Sequence, residues 1–343
     1  MIDYYQRIIQ FVRENKPAAL QTTLHGYSGS IKEDMTRKII PVIPSVDKHG
    51  RYSVKVTSVL DGEVLTLTEP VLPPERLIIL GGGHVALSVC LIGARCGFNV
   101  CVVDDRSDFA NEERFPEAQT VICDDFSAAI RKLSVSSFDY VVVITRGHRS
   151  DADCLRVLLS NTFPAYLGMI GSKRRVKGML EMLRAEGFDH EKLNRICTPI
   201  GLNIGAVTPD EIAVSIMAEI ISYRHMPEFG ANNHFYNNSD AEISVFDYLA
   251  VNTDPKAIVT VIETKGSVPR GTGAKMVVDH LGKTVGSIGG GCTESAAIQG
   301  AKMLIRTGRY EIIDVDLTGD VAEFDGMVCG GTMKILIEDA SVL

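Results

Sequence analysis

The sequence predicts an α/β protein in which a doubly wound parallel sheet occupies the middle third, flanked by smaller α+β units. Three observations carry this. Short apolar runs recur at residues 77–80, 100–103, 120–123, 140–144 and 166–170, with amphipathic helical stretches between them. Strands covered on both faces read as continuous apolar runs, and their alternation with helices means a parallel sheet. A glycine turn, Gly81-Gly82-Gly83, stands between the first of these runs and a helical pattern. On either side the alternation is absent: each flank shows a helix followed by shorter β-like runs.

In chain order, Ile2, Tyr5, Ile8, Ile9 and Val12 fall at helical spacing, so residues 2–14 form an amphipathic helix. β-like runs follow at 18–24 and 38–43, and this first unit, residues 1–75, ends at the prolines 73 and 74. The alternating segment spans 76–225. Its last helix opens on Thr208-Pro209-Asp210-Glu211, an N-cap, a proline at the first helical position and a capping-box glutamate, and runs to Arg224. Residues 226–240, rich in Asn and poor in aliphatic side chains, read as a linker, and a last α+β unit fills 241–343. Residues 16–24 (KPAALQTTL) and 254–262 (DPKAIVTVI) echo one another, each after a helix and each leading to a Gly-Ser turn. The first unit is either a degenerate copy of the last or an accidental match, since a helix feeding a strand through Pro is common.

The 343 residues exceed one usual hydrophobic core, as the three segments require. Lys and Arg number 35 against 43 acids, and the net charge of −8 opposes nucleic-acid binding. The first turns carry charge and show no signal-peptide pattern, and the longest stretch without charged residues, 77–94, is broken by three glycines and His84. No membrane association is expected. The eight cysteines, at 90, 96, 101, 123, 154, 197, 292 and 329, form no CxxC pair, which suits a reducing cytoplasm.

The turn at 81–86 reads G-x-G-x-x-A in the strand-turn-helix context that makes this pattern informative, and so predicts a Rossmann-like domain. Gly81 permits the tight turn, Gly83 lets backbone approach a pyrophosphate, and Ala86 lets helix and strand pack closely. Asp104, at the end of the next strand, is placed to accept ribose hydroxyls, and Arg106 to meet the 2′-phosphate of NADP instead. His84 either touches phosphate or substrate, or makes a helix-start hydrogen bond.

Ligands of open parallel sheets gather beyond the carboxyl ends of the strands. Two further clusters lie there: Thr145-Arg146-Gly147-His148, and Gly171-Ser172-Lys173-Arg174-Arg175. Ser172 is an N-cap in front of a basic first turn, against the usual preference for acids, which an anionic ligand or a solvated charge run would explain. His148 and Asp151 share a helix face without a third metal ligand in view. In the last unit, Arg270 and Lys275 precede a second glycine turn at 286–291 that leads to Cys292 at a helix start. The dipole there favours thiolate, and Cys329 stands in another glycine turn; the two thiols are either reactive or buried structural cysteines.

The motifs GGGHV, VVDDR, RFP, TRGH, GMIGSKRR, PIGLNIGA and TPDEIAVSI over about 76–225, then GSVPR, GAKM, GGGC.E and CGG over about 255–332, resemble the XdhC/CoxI family. Its members are accessory factors of molybdenum hydroxylases such as xanthine dehydrogenase. The resemblance implies binding of the molybdenum cofactor (molybdopterin), its sulfuration with a cysteine desulfurase, and delivery to a molybdenum hydroxylase apo-enzyme. In that reading the Rossmann loops hold the pterin or NAD(P), and Cys292 and Cys329 handle molybdenum or sulfur. In the familiar arrangement the Gly-Cys unit precedes the Rossmann domain; here it follows. The competing readings are an NAD(P)-dependent oxidoreductase with His84 or His148 as proton donor, against which the sequence has no Tyr-x-x-x-Lys pair, and an NAD-binding regulatory sensor. A homodimer is the expected oligomer.

Overall fold

A computed structural model describes residues 2–14, 16–26, 35–42, 45–46, 52–225, 235–316 and 331–341. The N-terminal segment contains α1 (Ile2–Arg13), β1 (Ala18–His25), β2 (Met35–Ile40), β3 (Ser45–Val46), β4 (Tyr52–Lys55), β5 (Thr57–Asp61) and β6 (Val64–Val71). The middle contains β7 (Arg76–Leu80), α2 (His84–Arg95), β8 (Asn99–Asp104), β9 (Thr120–Cys123), α3 (Phe126–Leu133), β10 (Tyr140–Val143), α4 (His148–Ser160), β11 (Tyr166–Met169), α5 (Lys173–Ala185), α6 (His190–Asn194) and α7 (Pro209–His225). The C-terminal segment contains β12 (Phe235–Asn238), α8 (Ile243–Val251), β13 (Lys256–Lys265), β14 (Lys275–Asp279), β15 (Thr284–Gly286), α9 (Gly291–Leu304), β16 (Tyr310–Asp316) and β17 (Thr332–Asp339). No helix among the described residues is long and apolar enough to cross a membrane.

The middle segment is one compact unit, an α/β domain around a parallel sheet of order β11-β10-β7-β8-β9. Alternate residues of each strand serve opposite faces, which is why the strands are apolar throughout. Ile78, Leu80, Val141 and Val143 pack with α3, α4 and α5, whereas Leu77, Ile79, Tyr140 and Val142 pack with α2 and α7. The capping box forms: the backbone N–H groups of Val207 and Thr208 donate to Glu211 Oε2 at 2.8 and 2.9 Å.

The two terminal segments, expected as separate units, cluster into one compact unit. Of the expected linker, Phe235–Asn238 is a strand and 226–234 lie outside the described residues. Two antiparallel sheets share a core that includes Leu24 and Leu67 of one and Ile262 and Leu336 of the other. α1 and α8 meet through Tyr5 and Phe246, whose ring centroids are 6.0 Å apart.

The sheets have the same plan. Their orders, β2-β1-β6-β5 and β15-β14-β13-β17-β16, coincide once β1 is laid on β13, β2 on β14, β5 on β16 and β6 on β17. Registers agree too. Leu20 faces Glu69 and Thr22 faces Arg37 in the first sheet; Ile258 faces Glu338 and Thr260 faces Lys275 in the second. These are the positions that the sequence echo aligns. Each copy's basic residue is neutralised by the other copy's acid: Arg37 pairs with Glu338, and Lys275 Nζ lies 2.5 Å from Glu69 Oε1. All four side chains are buried, and each cation also donates to its own copy's threonine, Arg37 to Thr22 at 3.3 Å and Lys275 to Thr260 at 2.8 Å.

A buried charge is tolerated only with its partner present. Lys275→Met strands the Glu69 carboxylate and should cost about 3–5 kcal/mol, whereas the double exchange Glu69→Leu/Lys275→Met should recover most of that loss. Urea unfolding of the full chain measures both. Equal losses in the single and double variants would show that shape, not charge balance, is what the pair supplies.

Candidate functional site

The sheet order places the topological switch point between β7 and β10, since β8 and β9 continue on one side and β11 on the other. Ligands of such sheets sit in this crevice. Its walls are the loops after β7 and β10. Gly81 has φ +120, and a Cβ there would lie 2.4 Å from the Ile144 carbonyl oxygen; at Gly82 a Cβ would lie 2.0 Å from that of Phe109. Both residues must be glycine because backbone passes directly against them. Gly83 and Gly147 differ. They cap the N-termini of α2 and α4 in extended conformations open to any residue, and a Cβ on either would meet nothing within 4 Å. Nothing among the described residues requires glycine at these two positions, and a helix start without a side chain before it leaves its N–H groups open to a ligand. Ala86 is buried on α2, as close helix-strand packing demands, and His84 is exposed with no hydrogen-bond partner among the described residues.

The structure corrects the expected part of Asp104. Its buried carboxylate accepts from Gly82 N–H at 2.8 Å and from Arg106 through the backbone N–H, Nε and Nη2 at 3.1, 2.8 and 3.0 Å. Both oxygens are engaged inside the chain, so Asp104 braces the glycine loop and is not held ready for a ribose. Arg106, expected at a 2′-phosphate, is tied to Asp104 and stacks on Phe109, its guanidinium carbon 3.6 Å from the ring centroid. Arg114 completes the brace through Nε to the Gly82 carbonyl at 3.1 Å. Arg114 stands in the motif RFP but was given no role there, and Phe109 escaped the motif reading, since it lies in an irregular loop without periodicity.

Thr145 is also structural. Buried, it donates to Asp151 Oδ1 at 2.5 Å and accepts from Gly147 N–H at 3.3 Å, fixing the β10 loop. Burial pushes the Asp151 carboxyl up despite Thr145 and Arg175 beside it. Arg175 joins Asp151 to His148, whose Nδ1 accepts from Arg175 Nε at 2.9 Å, so His148 and Asp151 form a clamp between α4 and α5 rather than a metal pair. Arg146 lies exposed in a two-pronged pair with Asp105, both contacts at 2.9 Å. Gly171 packs against Val176, and Ser172 is the expected N-cap, accepting from Arg175 N–H. Lys173 and Arg174 are exposed with no ion-pair partner among the described residues. His148, Ser172 and Arg174 line a cavity of about 680 Å³ between α4 and α5.

In the terminal unit, Gly286, Gly289, Gly290 and Gly291 all have positive φ. The turn is held by Glu294 of α9, which accepts from Ser287 Oγ at 2.6 Å and Ile288 N–H at 3.0 Å. Burial opposes the charge on Glu294, but these hydrogen bonds outweigh it and hold the carboxyl below its usual range. Cys292 is the second residue of α9, the helix-start position read from sequence; its side chain and all of Cys329 lie outside the described residues. Arg270, expected to bind a cofactor, pairs with Asp240 at 3.2 Å and Glu242 at 2.8 Å. Lys275 is a second correction: it is buried in β14 and bound to Glu69 and Thr260, so it cannot reach a ligand. Among the described residues no group of three or more His, Cys, Asp or Glu is placed to hold a metal.

The glycines separate by test. Gly83→Ser should stay within about 1 kcal/mol of wild type, because its hydroxyl can cap α2. Gly82→Ala drives a methyl into backbone and should cost about 1–3 kcal/mol. Thermal unfolding decides, and equal losses would refute the open-crevice geometry. Asp104 gives a pH test. Burial would raise its pKa, but hydrogen bonds from Arg106 and Gly82 outweigh burial and lower it. Stability from a depressed carboxyl is complete above the unfolded value, about 3.9, and is lost as pH falls through the folded value. Asp104→Asn should therefore flatten the acid limb of melting temperature against pH below about pH 4. An unchanged acid limb would remove Asp104 as the brace.

The family model of a Rossmann domain agrees with the fold of the middle segment. The model of the XdhC Rossmann domain matches residues 77–220, and that of the XdhC and CoxI family matches residues 250–316. An uncharacterised protein of Escherichia coli, YqeB, is 34% identical over 151 residues, covering 44% of this chain and 27% of that protein. A Bacillus subtilis protein described as a probable subunit of xanthine dehydrogenase is 32% identical over 152 residues, 44% of each chain. The match thus spans about a quarter of the first relative's length and less than half of the second's. A crystal structure of a xanthine dehydrogenase from Bacillus halodurans aligns with a TM-score of 0.46 at 26% identity, over 63% of this chain and 65% of that one. With the two family models together matched over more than half of its length, the chain belongs to the XdhC and CoxI family.

Proposed function

We propose that this protein is an accessory factor that binds the molybdenum cofactor and supports its sulfuration and insertion into a molybdenum hydroxylase. The observation that carries the reading is the pair Gly83 and Gly147, two helix caps flanking the switch-point crevice that are glycine with no steric demand from the chain. Both present helix-start N–H groups to an anion, and the missing side chains leave room for its close approach. These residues fit the phosphate of a pterin cofactor. They would also fit the phosphates of NAD(P), but the engagement of Asp104 by Gly82 and Arg106 removes the carboxylate by which such sites hold a ribose, and so favours the pterin.

The bound cofactor supplies molybdenum, for which soft thiolates are suitable ligands. Cys292, in the first turn of α9, stands where the helix dipole favours the thiolate. Cys329 is the second thiol of this reading. The partners it requires are a cysteine desulfurase as sulfur source and a molybdenum hydroxylase apo-enzyme as acceptor. The Bacillus subtilis relative is described as part of a xanthine dehydrogenase, which makes that enzyme the first client to test.

The test is reconstitution of an apo xanthine dehydrogenase with cofactor-loaded protein, wild type against Cys292→Ser and Cys329→Ser, with retained cofactor measured by mass spectrometry. Loss of both client activity and retained cofactor is expected if the thiols ligate the metal; loss of activity with the cofactor still retained is expected if they relay sulfur. Full activity from both variants would overturn the thiol role. Retention of NAD(P) in place of a pterin, with purine oxidation by this chain alone, would overturn the accessory reading.

A further inference from the structure

The cavity between α4 and α5 opens beside the first turns of both helices, with Ala152 and Met179 of the core on the α3–α4–α5 face of the sheet in its lining. Its volume, about 680 Å³, is that of a small-molecule site. Part of its lining is apolar. Ala152 of α4 and Met179 and Met182 of α5 form it, with Gly178 beside them. Gly178 stands in the interior of α5, where glycine is disfavoured, and a Cβ built on it meets nothing within 4 Å. No packing among the described residues accounts for that glycine, which leaves open space beside the methionines. Methionine thioethers are polarizable and sit well against aromatic rings.

The rim is cationic, and its charges divide into two kinds. Arg156 is neutralised by Asp153 at 2.9 Å and Glu186 at 2.7 Å, and Arg175 by Asp151. Arg149 and Arg174 have no carboxylate partner among the described residues. They lie in the first turns of α4 and α5, where the helix dipole already disfavours a cation. Two exposed guanidiniums without a carboxylate partner among the described residues line one cavity at two helix starts, where an anion is favoured by the charges and by the helix dipoles alike. A phosphomonoester carries about −1.5 to −2 charges near neutral pH, which matches two guanidiniums, and its oxygens suit their forked donors. The Ser172 hydroxyl stands on the same rim.

We propose that the α4–α5 cavity binds a phosphomonoester with a flat ring system, of the nucleoside monophosphate class, at a site separate from the Gly83–Gly147 crevice. The ring lies along Gly178, Met179 and Met182, and the phosphate lies between Arg149 and Arg174. This site does not rest on the molybdenum-cofactor reading, which concerns the crevice and the thiols.

Calorimetric titration of the full chain with AMP, CMP, GMP and UMP tests it, with adenosine and inorganic phosphate as partial ligands. At least one monophosphate should bind, with adenosine and phosphate each weaker by on the order of tenfold or more. Arg149→Ala and Arg174→Ala should each lower that affinity by on the order of tenfold, the loss of one charge-assisted contact. Gly178→Leu, which favours the helix, should fill the slot and abolish binding without lowering the melting temperature, and Gly83→Val should leave binding unchanged. Absence of binding by every monophosphate at millimolar concentration would overturn the proposal. So would inorganic phosphate binding as tightly as the nucleotides, which marks a bare basic patch, or loss of binding in Gly83→Val but not in the arginine variants, which places the ligand in the crevice.

Discussion

Backbone crowding at the centre of the parallel sheet is the constraint on which the candidate site depends. β7 is hydrogen-bonded to β8 on one side and β10 on the other, so the chain leaving its carboxyl end has little room on either flank. Gly81 N–H donates to the Val103 carbonyl at 2.8 Å, and the Ile144 and Phe109 carbonyls come so near Gly81 and Gly82 that neither residue can carry a side chain. The loop has one path. That path ends at Gly83, where the crowding stops and the first turn of α2 begins with its N–H groups uncovered. Rigidity just before the cap and open space at the cap have the same origin, because the backbone that packs against Gly81 and Gly82 does not extend over Gly83.

Buried or half-buried carboxylates hold the other loops in the same manner. Asp104 fixes Gly82, Asp151 fixes Thr145 and through it Gly147, Glu219 accepts from Gly201 N–H, and Glu294 closes the turn before Cys292. Each acid sits on a regular element or at its end and reaches a loop whose own residues lack the means to order it. A carboxylate committed to groups of the chain is unavailable to ligands, so these acids shape the site, while a subset of the cations stays outside the ion pairs. Arg149, Lys173 and Arg174 are exposed, whereas Asp104 and Asp151 are buried. This asymmetry favours an anionic ligand at both the crevice and the α4–α5 cavity.

Those features were unevenly legible in the sequence. The strands of the parallel sheet were readable because two-sided burial demands uninterrupted apolar residues, and α7 because Thr208 and Glu211 form a local capping box whose logic needs no tertiary partner. Gly81 and Gly83 were found by spacing, but spacing could not show that one is demanded by packing and the other is free of it. Asp104 was placed correctly at the end of β8, yet its role is decided by Arg106 and by a loop from Phe109 to Arg114 that carries no periodic signal. Lys275 misled for a different reason. Its neighbours Met276, Val277 and Val278 are buried along with it, so alternation gave no inward or outward face, and the acid that makes its burial tolerable lies in β6 at the other end of the chain.

That long-range pairing also bears on why the Gly-Cys unit follows the Rossmann domain here. The terminal segments are two copies of one helix-and-sheet plan, each supplying the counter-charge that the other must bury, so neither copy is a stable arrangement of charges without its partner. Chain between β6 and α8 lies between the copies in sequence, and the whole parallel-sheet domain occupies that connection. A glycine turn and helix-start cysteine attached to the last copy follow that domain, and the same features attached to the first copy would precede it. Within the paired unit the two placements are related by the same strand correspondence that relates β1 to β13 and Glu69 to Glu338. The order of motifs along the chain therefore depends on which of the two matching segments carries the Gly-Cys turn, and either placement is compatible with the same sheet plan.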